Sequence, residues 1–121
     1  MPSRETVEDF AAEVVAGRYV EAIEGWYADD ASMRENGGVP RVGREVLAEG
    51  ERQTLARFAS IACEQVGPAL IEGDHVAIRW RFVFTRRDGR TMTLNEIAWQ
   101  TWRGEKIVEE TFFYDPAQMA G

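Results

Sequence analysis

Cysteine and histidine are almost absent from the sequence, which has one of each among its 121 residues, Cys63 and His75. A single cysteine excludes an internal disulfide and a zinc site built on several cysteines. A single histidine argues against a histidine-rich metal site or a histidine-dependent triad. The Walker, dinucleotide-binding, nucleophile-elbow and EF-hand motifs are also missing. We therefore expect neither a metal nor a cofactor.

Positive charge is also scarce, because 14 basic residues face 21 acidic ones and leave a net charge of -7. Nucleic acids and anionic membrane surfaces attract positively charged proteins, so neither is an expected partner. No apolar run has the length of about 18 residues that a membrane span needs, and residues 1–20 lack the apolar core of a signal peptide. The length predicts one domain over residues 1–121, and we expect a soluble cytoplasmic protein.

The second half of the chain has the pattern of a three-stranded antiparallel sheet. Strand-like runs cover residues 76–84, 92–102 and 107–114. Asp88-Gly89 between the first two runs is a strong hairpin signal. Such a sheet needs a cover for its apolar face, and the first half of the chain is the candidate cover.

Apolar residues at helical spacing predict three helices in that first half, at about residues 3–17, 19–28 and 44–58. Short strands are predicted at about residues 31–35, 61–66 and 69–72. The expected order is α-α-β-α-β-β-β-β, an α+β fold with helices packed on the concave face of a curved antiparallel sheet. The tail from Asp115-Pro116 onward is expected to be loose.

Several short segments, in this order and spacing, resemble the nuclear-transport-factor-2-like (NTF2-like) superfamily, in the branch with SnoaL-like polyketide cyclases and ketosteroid isomerase. The resemblance covers almost the whole chain and lies in the segments Trp26-Tyr27-Ala28-Asp29-Asp30-Ala31, Pro40-Arg41-Val42-Gly43, Glu72-Gly73-Asp74 and Gly104-Glu105-Lys106-Ile107. It implies a cone-shaped fold with a pocket at its open end, suited to a hydrophobic small molecule. The superfamily contains enzymes, ligand binders and subunits without catalysis, so the resemblance leaves the activity open.

Strand alternation together with the resemblance divides the sheet residues between two faces. The inward set is Val76, Ile78, Trp80, Phe82, Phe84, Met92, Leu94, Glu96, Ala98, Gln100, Trp102, Val108, Glu110, Phe112 and Tyr114. On the outward face, Ile97, Trp99 and Phe113 would suit the homodimer interface that the superfamily commonly builds there. The alternative is that these side chains only thicken a two-sided sheet.

Glu35 is the first catalytic candidate. The segment from Ala28 to Glu35 resembles ketosteroid isomerases, and the family's carboxylate base falls on Glu35. A carboxylate at the edge of an apolar pocket suits a general base or acid. The alternative is a solvated loop carboxylate beside Arg34 or Arg41.

The resemblance to ketosteroid isomerase does not extend to the groups that stabilise the dienolate. The tyrosine of that family falls on Phe10 and its neutral aspartic acid on Ala98. Neither residue can donate a hydrogen bond, so the largest electrostatic contribution to that mechanism is missing. Steroid isomerisation itself is therefore not expected.

Glu96 and Glu110 form a second candidate pair, because both are predicted to point inward from neighbouring strands. A buried carboxylate must find a partner, be protonated or line a wet pocket. Two facing carboxyls would separate their pKa values and supply one acid and one base. The alternatives are pairing with an arginine, or a one-residue bulge that turns the carboxyls to solvent.

Asp115 lies where SnoaL-like cyclases often have an acidic residue, which implies an acid/base role in an aldol closure. Asp115-Pro116 is also an ordinary way to end a strand. Five aromatic residues are candidate ligand contacts or plain core, namely Tyr27, Trp80, Trp102, Phe112 and Tyr114.

These residues leave three hypotheses open. The first is a cofactor-free acid/base enzyme acting on a carbonyl compound, with Glu35 as base and Glu110 or Asp115 as acid. The second is a binder of a small apolar ligand without catalysis. The third is a dimeric interaction protein whose cone is filled by its own side chains.

Overall fold

The computed structural model describes residues 1–120, which form an α+β fold of three α-helices, seven strands and a short 3₁₀ helix. The helices are α1 Arg4–Val15, α2 Tyr19–Trp26, α3 Arg44–Arg57 and the 3₁₀ helix Pro116–Met119. The strands are β1 Tyr27–Glu35, β2 Arg41–Val42, β3 Ser60–Gln65, β4 Leu70–Glu72, β5 His75–Thr85, β6 Thr91–Arg103 and β7 Lys106–Phe113.

The strands form one curved, unclosed sheet in the order β2-β1-β7-β6-β5-β3, and β4 also pairs with β5. The predicted antiparallel arrangement of β5, β6 and β7 is confirmed, as is the α+β class. One pair differs from the expectation, because β1 runs parallel to β7 and makes the sheet mixed. This pairing brings the first strand of the chain beside the last.

The boundary between α2 and β1 lies earlier than the sequence indicates. The periodicity places Tyr27 and Ala28 in a helix, and this is wrong. Tyr27 has extended backbone angles of φ -99° and ψ 142° and is the first residue of β1. The side chain of Tyr27 therefore belongs to the sheet, where it reaches β7.

Alternation along β5 and β6 agrees with the predicted inward face. Val76, Ile78, Trp80 and Phe84 are buried on β5, and Leu94, Glu96, Ala98, Gln100 and Trp102 are buried on β6. The prediction fails at one position of β7. Thr101 pairs with Glu109 whereas Trp102 pairs with Ile107, so Val108 is an extra residue in a β-bulge. The bulge buries Ile107 instead of Val108 and leaves Glu110 inward, because one extra residue reverses the alternation on one side of it only.

The three helices pack against the sheet and line the cavity beside it. The α1 helix begins where the Ser3 side chain accepts a hydrogen bond from the Thr6 N–H, and Gly17 with φ +83° ends it in the left-handed region that glycine favours. Phe10 of α1 packs edge-on against Trp26, Tyr27 and Trp102, with ring centroids 6.5, 6.2 and 6.0 Å away. These aromatic contacts join the helices to the sheet.

Residues 115–120 contain a 3₁₀ helix bound to β6, which differs from the expected loose tail, whereas Gly121 lies outside the described residues. Asp115 Oδ1 accepts a hydrogen bond from the Ala117 N–H at 2.9 Å and starts the 3₁₀ helix. The Gln118 side chain accepts from the Asn95 N–H at 2.9 Å and donates to the Asn95 carbonyl at 3.0 Å. The pairing of β6 with β7 ends at Ile97, so the backbone of Asn95 has no partner from β7. The Gln118 side chain provides the two hydrogen bonds instead.

Candidate active site

A large cavity of about 840 Å³ lies between the three helices and the concave face of the sheet. Most of its lining is apolar, including Phe10, Val14, Ile23, Leu47, Trp80, Phe82, Phe84, Leu94 and Phe112. Four carboxylic side chains share the same space, those of Glu35, Glu51, Glu96 and Glu110. A mostly apolar cavity of this size with a few converging polar groups is typical of a small-molecule site.

Glu110 lies within a chain of buried hydrogen bonds, between Tyr27 and Gln100, and is 2% exposed. Its Oε1 accepts from the Tyr27 hydroxyl, and its Oε2 accepts from Gln100 Nε2 at 2.7 Å. Gln100 Oε1 in turn accepts from Trp102 Nε1 at 2.9 Å. Each oxygen of the Glu110 carboxylate therefore has a donor.

Opposing effects set the protonation of Glu110. Burial raises its pKa to about 7, although the hydrogen bonds from Tyr27 and Gln100 lower it. Burial, and secondarily the Glu110 charge, raise the pKa of Tyr27 well above its ordinary value. Tyr27 thus stays a hydrogen-bond donor while Glu110 can gain or lose a proton near neutral pH.

Glu96 is 8% exposed and lines the cavity from β6, opposite Trp80 of β5. Within residues 1–120, its carboxyl group makes neither a side-chain hydrogen bond nor an ion pair, and its oxygens are not fully enclosed by protein. Burial first, and then the charge of Glu110, raise the pKa of Glu96 to about 8. At neutral pH this carboxyl is therefore mostly protonated and faces the cavity.

Glu35 lies at the end of β1, on the cavity rim, in a pair with Arg41. A turn with Asn36 at φ +52° leads into β2, whose Arg41 pairs with Met33 and so returns beside Glu35. Arg41 Nη1 lies 2.6 Å from Glu35 Oε2, and Nη2 lies 3.1 Å from Oε1. This is the arginine pairing that the sequence leaves as an alternative, and the base role of Glu35 stays a prediction.

The other predicted contacts divide into two groups. Tyr27, Trp80, Phe112 and Tyr114 line the cavity. Trp102 lies in the core at 1% exposure and is not among the lining residues. Asp115 is exposed, lies outside the lining and caps the 3₁₀ helix. The proposed roles of these residues remain predictions.

Two participants of the site were not among the predicted site residues, although Gln100 was placed on the inward face. Gln100 stands directly opposite Glu110, a pairing that the strand register could have indicated. Glu51 lies midway between Leu47 and Leu55 on α3, and a spacing of four places all three on one helix face. Burial raises the pKa of Glu51, and the charge of Arg41 lowers it in part.

Two further properties concern residues 1–120 as a whole. No three or more histidine, cysteine, aspartate or glutamate side chains in this part of the chain are grouped so that they could hold a metal ion. None of its helices has the length and apolar character needed to cross a membrane.

Comparison with known proteins identifies relatives of this fold. The model of the SnoaL-like domain family matches residues 7–110, and no curated protein matches. A Mesorhizobium loti protein whose description names both a SnoaL-like polyketide cyclase and a carbohydrate phosphatase is 28% identical, with a TM-score of 0.76 over 91% of this chain and 97% of that one. An NTF2-like protein of unknown function from Burkholderia pseudomallei is 16% identical, with a TM-score of 0.82 over 97% and 95%. TerC, co-crystallised with polyporic acid, is 18% identical, with a TM-score of 0.79 over 95% and 92%. With most of its length matched by the family model, the chain belongs to the SnoaL-like domain family of the NTF2-like superfamily.

Proposed function

We propose that the protein is a cofactor-free acid/base enzyme acting on a hydrophobic, carbonyl-bearing small molecule. The reaction would be an aldol cyclisation, an isomerisation or a dehydration. One observation carries this proposal, namely the unpartnered, nearly buried carboxyl of Glu96 in a mostly apolar cavity. A protein that only filled its cone would have no such volume, and a simple apolar binder would gain nothing from a desolvated acid.

Glu96 and Glu110 divide the acid and base roles in this proposal. Glu96, with a pKa of about 8, donates a proton to the carbonyl oxygen of the ligand. Glu110, with a pKa of about 7, removes a proton from the carbon beside that carbonyl. The product is an enol, which can attack a second carbonyl or be protonated at another carbon. Tyr27 and Gln100 hold the Glu110 carboxylate in place, and Glu35 is a second candidate base on the rim.

Similar proteins support a small organic ligand. TerC was co-crystallised with polyporic acid, and the Mesorhizobium loti protein is described as a polyketide cyclase. Both share the fold of this chain over nearly its full length. A polyketide or another ring-bearing carbonyl compound is therefore the ligand class to test first.

The minimal reaction of the proposal is exchange of the proton beside a carbonyl. We expect the protein to accelerate hydrogen–deuterium exchange of 2-tetralone in D₂O, followed by NMR. Glu96→Gln and Glu110→Gln should each slow the exchange by about 100-fold or more, because general acid/base groups contribute that much. Glu109→Gln is the matched control, since Glu109 is exposed and neighbours Glu110 in sequence.

The result that would overturn the proposal is an absence of acceleration by the unaltered protein while it still binds 2-tetralone. The protein would then be a binder without catalysis. If neither exchange nor binding occurs, the dimeric interaction protein becomes the better reading. Circular dichroism of each variant separates lost chemistry from lost folding.

We also propose that the outer sheet face forms a homodimer. Ile97 and Phe113 are paired across β6 and β7, and Trp99 is the next outward residue on β6. Their exposed fractions are 42%, 49% and 47%, which is high for large apolar side chains on one patch. Burial of such a patch against a second copy would be favourable.

A further inference from the structure

Three arginines line one end of the cavity without an acidic partner. Arg57 ends α3, and Arg86 and Arg87 lie in the turn between β5 and β6. Within residues 1–120, none of their guanidinium nitrogens lies within 4.0 Å of a carboxylate oxygen, although most arginines of the chain are ion-paired. The paired ones are Arg4, Arg18, Arg41, Arg44, Arg52, Arg81, Arg90 and Arg103.

One of the three has a structural role. Arg87 Nη2 donates to the Ala56 carbonyl at 2.6 Å and thereby caps the last turn of α3. The other two are poorly satisfied. Among the residues that the structure describes, the Arg57 guanidinium has a single hydrogen bond, to Thr54 Oγ1 at 3.3 Å, and that of Arg86 meets only the Met92 sulfur, at 2.9 Å. A thioether is a weak acceptor and a guanidinium has five N–H donors, so both keep donors for another group.

Neighbouring acids do not neutralise this end of the cavity. Hydrogen bonds from the Arg90 backbone and side chain are the main cause of the lowered pKa of Asp88, and the charge of Arg86 contributes less. The Asp88 carboxylate is held by Arg90 at 2.9 Å. Arg41, the other lining arginine, is already neutralised by Glu35. The position of Arg57 in the last turn of α3 suits the helix dipole, but it gives the guanidinium no further acceptor.

The arginines and Glu96 lie at opposite ends of an apolar surface. Arg86 contacts Met92, which is four residues from Glu96 on the same face of β6. Four residues of a strand span about 13 Å. Leu94 lies between them, and Phe82 and Phe84 flank it on β5. A ligand that reaches both ends therefore needs an apolar body of about that length.

We propose that Arg57 and Arg86 form an anion-binding subsite at the mouth of the cavity. The ligand is an elongated apolar molecule with an anionic carboxylate or phosphate group at this end, which two guanidinium forks can bind. Only the opposite end of this ligand rests on the proposed function, because the carbonyl group at that end is the one that would contact Glu96. The subsite itself can be tested without turnover.

Three probes with the same ten-carbon chain test the subsite by isothermal titration calorimetry, namely decanoate, decyl phosphate and 1-decanol. At low salt we expect the better of the two anions to bind about tenfold more tightly than 1-decanol. Which anion binds more tightly identifies the anionic group. Arg57→Gln and Arg86→Gln should each weaken anion binding by about threefold to tenfold and leave 1-decanol unchanged.

Arg79→Gln is the matched control, since Arg79 also has no ion pair among the described residues but is exposed on the outer sheet face. Equal affinities for the anions and 1-decanol would overturn the subsite, and so would an equal loss in Arg79→Gln. Glu96→Gln should keep its affinity for the anions. If the unaltered protein binds the anions but does not accelerate proton exchange, the proposed function alone is contradicted and the subsite stands. Thermal unfolding of each variant confirms the fold.

Discussion

Gln100 lies directly opposite Glu110 across β6 and β7 and donates from Nε2 to its Oε2 at 2.7 Å. The Gln100 amide is fully buried and also accepts from Trp102 Nε1, so its two ends have fixed partners. Trp102 thus orients Gln100, and Gln100 presents a donor to Glu110. The hydrogen bond from Gln100 stabilises the ionised form of the Glu110 carboxyl, whereas burial alone would favour its neutral form.

Gln100→Leu should destabilise the protein strongly. The change removes a donor from Glu110 and the acceptor of the Trp102 N–H, which leaves two buried polar groups unpaired. We expect the free energy of unfolding to fall by about 2 to 4 kcal/mol. Urea unfolding measures it, and Gln53→Leu on the exposed side of α3 is the matched control. A Gln100→Leu protein as stable as the unaltered one would contradict the arrangement.

Tyr27→Phe should lower the free energy of unfolding more at high pH than at low pH. The hydroxyl of Tyr27 stabilises ionised Glu110, so its removal raises the pKa of Glu110 further above about 7. We expect a loss of about 1 to 2 kcal/mol when Glu110 is ionised and a smaller loss when it is protonated. Tyr114→Phe is the control, because the Tyr114 hydroxyl makes no hydrogen bond within residues 1–120. Equal losses at both pH values would refute this account.

Glu96→Gln should remove a pH dependence of stability. The pKa of Glu96 is raised from 4.5 to about 8 in the folded state, so the folded protein holds this proton more tightly than the unfolded chain. The resulting stability is fully present below the unfolded pKa and is lost as the pH rises through about 8. As the pH rises from about 5 to about 9, the free energy of unfolding of Glu96→Gln should increase by on the order of 3 kcal/mol relative to that of the unaltered protein.

The measurement is urea unfolding across that pH range. The exposed Glu109→Gln should follow the curve of the unaltered protein throughout. If Glu96→Gln also follows that curve, Glu96 is solvated and its proposed role as an acid is lost.

Trp99→Lys should separate the proposed dimer. A charged side chain in the centre of the outer patch is costly to bury against a second copy. Light scattering after size exclusion should show a dimer for the unaltered protein and a monomer for Trp99→Lys. Thr93→Lys is the control, since Thr93 is exposed on the same strand outside the patch. A monomeric unaltered protein would instead support the two-sided sheet.

Much of the fold could be predicted because its signals are local. Alternation over residues 76–84 and the turn at Asp88-Gly89 describe the hairpin of β5 and β6 without distant information. The inward directions of Glu96 and Glu110 follow from the same alternation. The bulge at Val108 could not be predicted, because nothing in the local sequence marks which residue a strand skips.

The partners of the site residues were harder to predict because they come from distant segments. Helical periodicity assigned Tyr27 to α2, whereas its bond with Glu110 depends on the pairing of β1 with β7. The Glu35–Arg41 pair depends on the turn at Asn36, which returns the chain beside β1. The arginines at the cavity mouth come together only when α3 packs beside the β5–β6 hairpin.

The parallel pairing of β1 with β7 has a consequence for how the protein folds. It joins Tyr27 to a residue 83 positions later, and closing so long a loop costs entropy before any contact repays it. Folding rates fall as contacts become more distant in sequence. On the ribosome the helices can form before β7 has emerged, but Tyr27 cannot pair with Glu110 until β7 is available. The cavity is thus completed only after β7 has paired with β1, and a chain cut before β7 would expose its apolar interior to chaperones and proteases.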